Sequence, residues 1–299
     1  MQNAVIIHIG YPKTATTWLQ KEFFPNVTNW NYLPPGIFNE QIIKIDPFDP
    51  NLNFDEWKEK DRLIVSNENF IGLGRTNGFI KIGLANRLKS IFPDAKIVIF
   101  IRNQLDMIAS SYNWNVKRMG CNLSPKKFLN FTDGRPNQIS MYKLFHNNYY
   151  EIIKLYSELF GKENVYVFLF EDFQRNPEKF INNFCKTFDF QTSDKTLDFA
   201  PVNSKLRKGL FFIIRMLNLF TQPKILYRHH FISFPYFGRY LPGLAERLNK
   251  YKIFGTVPNT KEILGKDLTN KLSEYYKPFN KQLTLYLDKE KLREYGYPV

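Results

Sequence analysis

The sequence predicts an α/β chain, a three-layer sandwich in which a central parallel sheet is flanked by helices. Three observations carry this. Short apolar runs rich in β-branched residues recur at Ala4–Ile9, Arg62–Ser66, Ala95–Ile101 and Asn164–Phe170, with the length and composition of buried parallel strands. Helical segments separate them, as parallel neighbours joined by crossovers require. Finally, 299 residues that are 43% hydrophobic and 17% aromatic supply a sizeable core, expected to form a single domain over 1–299.

The first run organises the rest. Ala4–Ile9 breaks at Gly10 and Pro12, and Thr16 and Thr17 then open a helical segment to about Phe24. A strand, a tight loop and a helix start in that order turn main-chain N–H groups inward and add the partial positive charge of the helix terminus. Lys13 and the hydroxyls of Thr14, Thr16 and Thr17 supply further donors, so the loop is built to hold an anion. It does not fit the nucleotide pattern Gly-x4-Gly-Lys-Ser/Thr: Lys13 lies three residues after Gly10 and no glycine directly precedes it, which disfavours an ATP-type cradle.

Pro25 to Pro50 reads as irregular, with a short strand at Asn31–Leu33 and a length that suits a wall or gate over a site. Arg62–Ser66 is the next strand, and Asn67-Glu68-Asn69-Phe70 follows at once. In a doubly wound sheet, residues just past the carboxyl ends of strands face the ligand crevice, so Glu68 is expected on the same rim as Lys13. Read alone, Glu68 is equally a capping or solvated residue. A helix is expected from Gly78 to Phe92, then the strand Ala95–Ile101 with Arg102 directly after it, and a helix through Leu105–Tyr112. Ser110 stands eight residues after Arg102, about two helical turns on. Taken alone, an arginine at a strand end is more often structural.

Ser124–Phe131 is expected as a short helix capped by Ser124 with Pro125 in its first turn, Gln138–Phe160 as a long helix, and Asn176-Pro177 as the start of a helix to Phe188. Gln191–Val202 reads as loop. Residues 205–252 differ in composition: ten Lys or Arg stand against Glu246 alone, which puts +9 of the chain's net +14 in this stretch, among many aromatics. Leu210–Phe220 is too short and too interrupted by Arg215 to span a bilayer, but with Ile225–Tyr240 it suits an anionic surface or a glycolipid head group; a core helix followed by a basic loop is the plainer alternative.

The charge implies an anionic partner, and without zinc-finger spacing, an RNP-like motif or a long basic tract, nucleic acid is not expected. Cys121 and Cys185 form no Cys-x-x-Cys, and His8, His146, His229 and His230 lack ligand spacing, against a disulfide framework or zinc site. No charged start precedes an apolar core of signal-peptide type, and these features fit a cytoplasmic protein.

Tyr11 through Trp18 resembles the 5'-phosphosulfate loop of the sulfotransferase family, Tyr-Pro-Lys-Ser/Thr-Gly-Thr-Thr-Trp, with Ala15 where glycine is usual. Ala15 is therefore expected to hold φ below zero. Arg102, Asn103, Ser110 and Tyr112 resemble the family's 3'-phosphate motif. Glu68 resembles the general base of several carbohydrate-acting members, and Phe170-Glu-Asp the strand end that borders the adenine, with Phe170 replacing a tyrosine. Arg207-Lys208-Gly209 resembles a further 3'-phosphate contact, at a shorter separation than in cytosolic members. The closing helices resemble those of bacterial members acting in glycan pathways.

The resemblance implies a P-loop-like fold and transfer of a sulfuryl group from 3'-phosphoadenosine 5'-phosphosulfate to a hydroxyl or amine, of a glycan or glycolipid given the basic segment. In that reading Lys13 stabilises the leaving phosphate and Glu68 is the base. Pro12, Thr14, Ala15, Thr16, Thr17, Trp18, Arg102, Ser110, Phe170, Arg207 and Lys208 hold the donor. No metal is expected, and peripheral contact with the inner membrane face is open. Two other classes stay open: a metal-dependent nucleotide kinase with an atypical loop, and a non-catalytic glycan- or membrane-binding protein.

Overall fold

The computed structural model of the chain describes residues 4–38, 42–43, 60–72, 80–129, 142–200, 205–221 and 235–299. Strands β1 (Val5–His8), β2 (Asn31–Leu33), β3 (Leu63–Ser66), β4 (Lys96–Ile101) and β5 (Val165–Leu169) form one sheet in the order β2-β3-β1-β4-β5, parallel at every pairing. Registers run Val5 to Leu63 through His8 to Ser66 on one side of β1, and Ile6 to Lys96 through His8 to Val98 on the other.

Alternate residues of each strand feed opposite faces. Val5, Ile7, Leu63, Val65, Ile97 and Ile99 point to one cluster, where α2 (Lys81–Ile91) and α4 (Tyr149–Phe160) cover the sheet. Ile6, Ile64, Val98 and Phe100 point to the other, under α1 (Thr16–Trp18, continued by a π-helical turn Leu19–Phe23) and α6 (Pro177–Phe188). With both faces covered, the central strands are apolar along most of their length, polar only at ends such as His8, Ser66 and Lys96, which is why they read as near-continuous runs. This is the expected three-layer sandwich.

A third cluster lies beside the sheet, where α3 (Gln104–Met119) meets α7 (Lys208–Leu217), α8 (Pro235–Leu248) and α9 (Lys266–Leu283). Two shorter helices, α5 (Phe170–Arg175) and α10 (Lys289–Glu294), complete the frame. The end of the chain returns to the sheet: Leu283, Leu292 and Tyr297 are buried in the same cluster as β1 and β4.

The strand order positions the site. From β1 the chain passes to the edge strand β2 and returns to β3 beside β1, then crosses to β4 and β5 on the other side, so the loops after β1 and β4 diverge and open a crevice at the carboxyl edge. Lys13 follows β1, Arg102 follows β4 and Glu68 follows β3, and all three meet on that edge.

Several expected elements shift. The helix expected from Gly78 runs from Lys81 to Ile91, and that from Ser124 runs from Pro125 to Leu129. The long helix expected from Gln138 starts only at Tyr149; Leu144–Asn147 makes a 3-10 turn and Asn148 is extended, consistent with two successive asparagines that favour turns and caps over helix interiors. Its residues before 142, and most of the stretch from 39 to 59, lie outside the described residues.

Phe184 sits at the centre of the α6 face, fully buried and in ring contact with Phe23, Phe100, Phe168 and Phe188. Phe184→Ala is expected to cost about 3–5 kcal/mol in urea unfolding. Phe212→Ala, on an exposed helix face, should stay within about 0.5 kcal/mol of the parent. Equal costs at the two positions would contradict this placement of the core.

Candidate active site

The loop after β1 begins where nothing larger than glycine fits: a Cβ on Gly10 would stand 2.5 Å from His8 Nε2 and 3.2 Å from Thr16 Oγ1. His8 is buried and neutral, its basicity lowered to about 3 by burial, and its Nδ1 lies 2.8 Å from Ser66 Oγ, which joins the ends of β1 and β3 beneath the loop. Above it the hydroxyl of Thr14 donates to the Tyr11 carbonyl at 2.5 Å and that of Thr16 to the same oxygen at 3.3 Å. These two threonines spend their hydroxyl protons on closing the loop, and both are buried. Thr17 is half-buried.

The main chain pays for this closure in conformation and in unmade bonds. Lys13 and Ala15 both take the left-handed region, at φ 69° and 61°. The expectation of a negative φ at Ala15 is therefore wrong: the loop needs the geometry for which the family pattern carries glycine, and alanine adopts it at a cost of about 1–2 kcal/mol. Among the described residues no acceptor takes the main-chain N–H groups of residues 13–17; the first helical bond runs from Leu19 N–H to the Ala15 carbonyl. Thr14 and Thr16 are 0% and 2% exposed, so two of these donors are orphaned where water does not reach them.

Charge gathers round this cradle. Burial lowers the Lys13 ammonium to about 8, against the pull of Glu68 and with help from Lys117, Arg102 and Arg118. Burial raises the Glu68 carboxyl while Lys13 opposes it, which bears out the expected neighbourhood of the two. Asn67, whose side chain accepts from Asn69 N–H at 2.9 Å, caps the 3-10 turn Glu68–Ile71 and so sets the start of that turn at Glu68. The Lys13 Nζ stands 4.6 Å over the ring of Trp114.

Arg102 locks the second half of the site to the first. Its Nη1 donates to the Lys13 carbonyl at 3.1 Å, its guanidinium lies 4.6 Å over the ring of Phe170, and Tyr149 hydroxyl donates to its carbonyl at 2.6 Å. Helix α3 starts from an Asn103 cap that accepts from Leu105 and Asp106, and Asn103 N–H itself donates to Glu171 at 2.8 Å. Ser110 and Trp114 are one turn apart on one face of α3, so the helix that carries the expected phosphate serine also carries the ring beneath the lysine.

Three of the expected ligands make their contacts elsewhere, and a fourth is covered on one face. Trp18 is 4% exposed, stacked on Phe23 and Phe199, with its Nε1 donating to the Asp198 carbonyl at 2.6 Å; it is core, with no face open to a purine. Phe170 has one face taken by Arg102. Arg207 donates to the carbonyls of Asn249 at 2.9 Å and Gly255 at 2.7 Å, and Lys208 pairs with Glu262 at 2.6 Å, so both bind the protein itself. Lys205 lies near Arg102 instead: burial, then Arg102, lowers its ammonium below the usual range, with Asp106 opposing.

Sequence reasoning missed Trp114 and Lys205. The first had a usable signal, four residues beyond Ser110 on a predicted helix. The second had none, because only the third cluster brings 205 to the crevice. The closing turn was missed too: Tyr297 hydroxyl donates to Glu171 at 3.1 Å and Asn103 Nδ2 to the Tyr295 carbonyl at 3.1 Å, which tie the chain's end to the phosphate-motif helix.

A family model described as "Sulfotransferase family" matches residues 81–194, the span that holds Arg102, Ser110 and Phe170. No curated protein sequence matches the chain. Among solved structures it is similar to a sulfotransferase from Alicyclobacillus acidocaldarius, at 19% identity over 98% of this chain and 99% of that one, TM-score 0.48. It is also similar to the mouse sulfotransferase SULT7A1 complexed with PAP, at 14% identity over 99% and 90%, TM-score 0.46. A third likeness is the sulfotransferase domain from the curacin biosynthetic pathway, at 12% identity over 92% and 97%, TM-score 0.40.

The left-handed backbone at Ala15 orders the substitutions there. Ala15→Gly should exceed Ala15→Val in unfolding free energy by at least about 1 kcal/mol, because a β-branched side chain is strained at this φ. Equal or reversed stabilities would mean that Ala15 does not hold that conformation.

Proposed function

We propose that this chain, whose central span matches the sulfotransferase family, moves a sulfuryl group from 3'-phosphoadenosine 5'-phosphosulfate to an acceptor hydroxyl or amine, acting as a single unit over 1–299. The observation that carries the reading is the row of unpartnered N–H groups at residues 13–17, set between Lys13 and Arg102. A polyanion with phosphates at both ends of a ribose would satisfy the row with one end and the pair after β4 with the other. Arg102 and Ser110 hold the 3'-phosphate, and Lys205 takes the supporting role expected of Arg207 and Lys208.

Sulfuryl transfer asks for three things: charge stabilised on the departing phosphate oxygen, a proton removed from the acceptor, and exclusion of water. The N–H row and Lys13 meet the first, and one such donor in a dry site is worth roughly 2.7–4 kcal/mol of barrier. Thr17 adds a hydroxyl at the helix start. Glu68 takes the acceptor's proton; burial raises its carboxyl toward neutrality, the direction a general base needs. Trp114 holds the Lys13 ammonium over its ring and steadies it. The positive charge comes from side chains and main-chain amides, so the reading asks for no metal. The basic stretch 205–252 supports an acceptor of glycan or glycolipid type, and a cytoplasmic setting fits the cysteine usage.

Calorimetry without metal tests the donor. Adenosine 3',5'-bisphosphate should bind at least about tenfold, 1.4 kcal/mol, tighter than 5'-AMP. Arg102→Ala should remove that margin and Lys205→Ala should reduce it. ATP binding as tightly, or only with Mg2+, would replace this reading with the nucleotide-kinase one.

The pH dependence follows from Lys13. Free Lys13 gives up its proton as pH rises through about 8, whereas a bound phosphate favours the charged ammonium. Binding of the bisphosphate should therefore take up protons above that pH, and affinity should fall with rising pH by up to about tenfold per unit. Titrations in buffers of different ionisation enthalpy measure the uptake, which Lys13→Met should abolish. A flat affinity across this range would remove Lys13 from the phosphate.

A further inference from the structure

Helix α7 is apolar on both sides. Leu210, Phe211 and Ile214 enter the cluster shared with α3 and α9, while Phe212, Ile213 and Met216, with Phe220 in the turn that follows, are 61%, 46%, 62% and 39% exposed. Their spacing of i, i+1, i+4 and i+8 makes one stripe. Helix α8, in contact with α7, adds exposed Tyr240 and Leu244 one turn apart, and the turn Lys252–Phe254, also in contact with α7, adds Ile253 at 88% exposure. Exposed apolar side chains on three elements in contact with one another mark an interaction site more often than they mark chance.

The charges around it are one-sided. Glu246, the one acid of 205–252, is taken by Lys117 at 3.1 Å and by Arg118, and Glu262 is taken by Lys208. Arg239, Arg247, Lys250 and Lys252 are exposed and form no ion pair among the described residues. The face therefore offers apolar side chains beside free cations, with its nearby acids already neutralised.

We propose that this face docks on an anionic lipid surface, with α7 lying in the plane of the interface. Apolar side chains enter the acyl boundary while long Lys and Arg stems run along them and carry their charges to the phosphates. At ten residues α7 is too short to span, so it lies on the bilayer rather than crossing it. A second copy of the chain is a poor occupant, because mating two such faces brings free cations together. Nucleic acid fits less well: the rings of Phe212, Phe220 and Tyr240 could stack on bases, but the aliphatic Ile213, Met216, Leu244 and Ile253 exposed with them would face a phosphate backbone with no gain. This inference is independent of the proposed reaction.

Flotation of the full chain with vesicles of phosphatidylcholine, alone or mixed with phosphatidylglycerol, tests it. Binding is expected to the mixed vesicles and not to the neutral ones, and should weaken as salt is raised. Phe212→Ser combined with Met216→Ser should lower it at least about fivefold, and so should Arg247→Glu combined with Lys250→Glu. All four side chains are exposed, so circular dichroism should stay unchanged, and bisphosphate affinity serves as an independent check of the fold. Absence of binding to mixed vesicles would overturn the proposal. So would equal binding to both vesicle types that the charge reversal leaves unchanged, or a dimer abolished by Phe212→Ser without any vesicle binding.

Discussion

The hydrogen bond from Arg102 to the Lys13 carbonyl is the constraint on which the rest depends. It joins the two loops that diverge at the point where strand order reverses, and so converts a gap between β1 and β4 into a site of fixed width. The same guanidinium lies over Phe170, so one side chain ties the loop to α5, and its charge acts on Glu171 and Lys205. A lysine in its place would keep the charge and lose the fork that makes these contacts at once.

Around that bond the protein holds an arrangement that its core alone would not choose. Two non-glycine residues sit in the left-handed region, two buried N–H groups find no acceptor among the described residues, and a buried ammonium is pushed toward neutrality. The unmet donors and the depressed ammonium are unfavourable without an anion and would be relieved by one, whereas the left-handed backbone is a cost that the loop's closure imposes. The scaffold that sustains them is the sheet below and the closing turn beside it: Tyr297 on Glu171, Tyr295 on Asp172 and Lys291 on Asp172 clamp the chain's end across the start of α3 and α5.

The third cluster links this site to the outer surface. Helix α3 turns Ser110 and Trp114 toward the crevice, and Ile108, Tyr112 and Val116 toward α7. One helix layer thus separates the anion cradle from the apolar, cationic face of α7 and α8. Among the described residues no helix is long and apolar enough to cross a membrane.

What the sequence by itself determined is local. Val5–His8, Leu63–Ser66, Lys96–Ile101 and Val165–Leu169 were legible as strands because burial on both faces demands near-continuous apolar runs. That Lys13, Glu68 and Arg102 stand at one edge of the sheet was legible because each follows the end of a parallel strand. Backbone conformation and long-range partnership were not. The left-handed φ of Ala15 is imposed by the loop's closure onto the Tyr11 carbonyl, against alanine's own preference. Arg207 and Lys208 looked like phosphate ligands, yet Asn249, Gly255 and Glu262, more than 40 residues on, claim them, while Lys205 is carried to Arg102. Trp18 likewise became core once the segment around Phe199 folded over it. Periodicity and spacing report what neighbours along the chain require of one another; which cation remains free for a ligand is decided by packing between distant segments, and only the tertiary structure holds that.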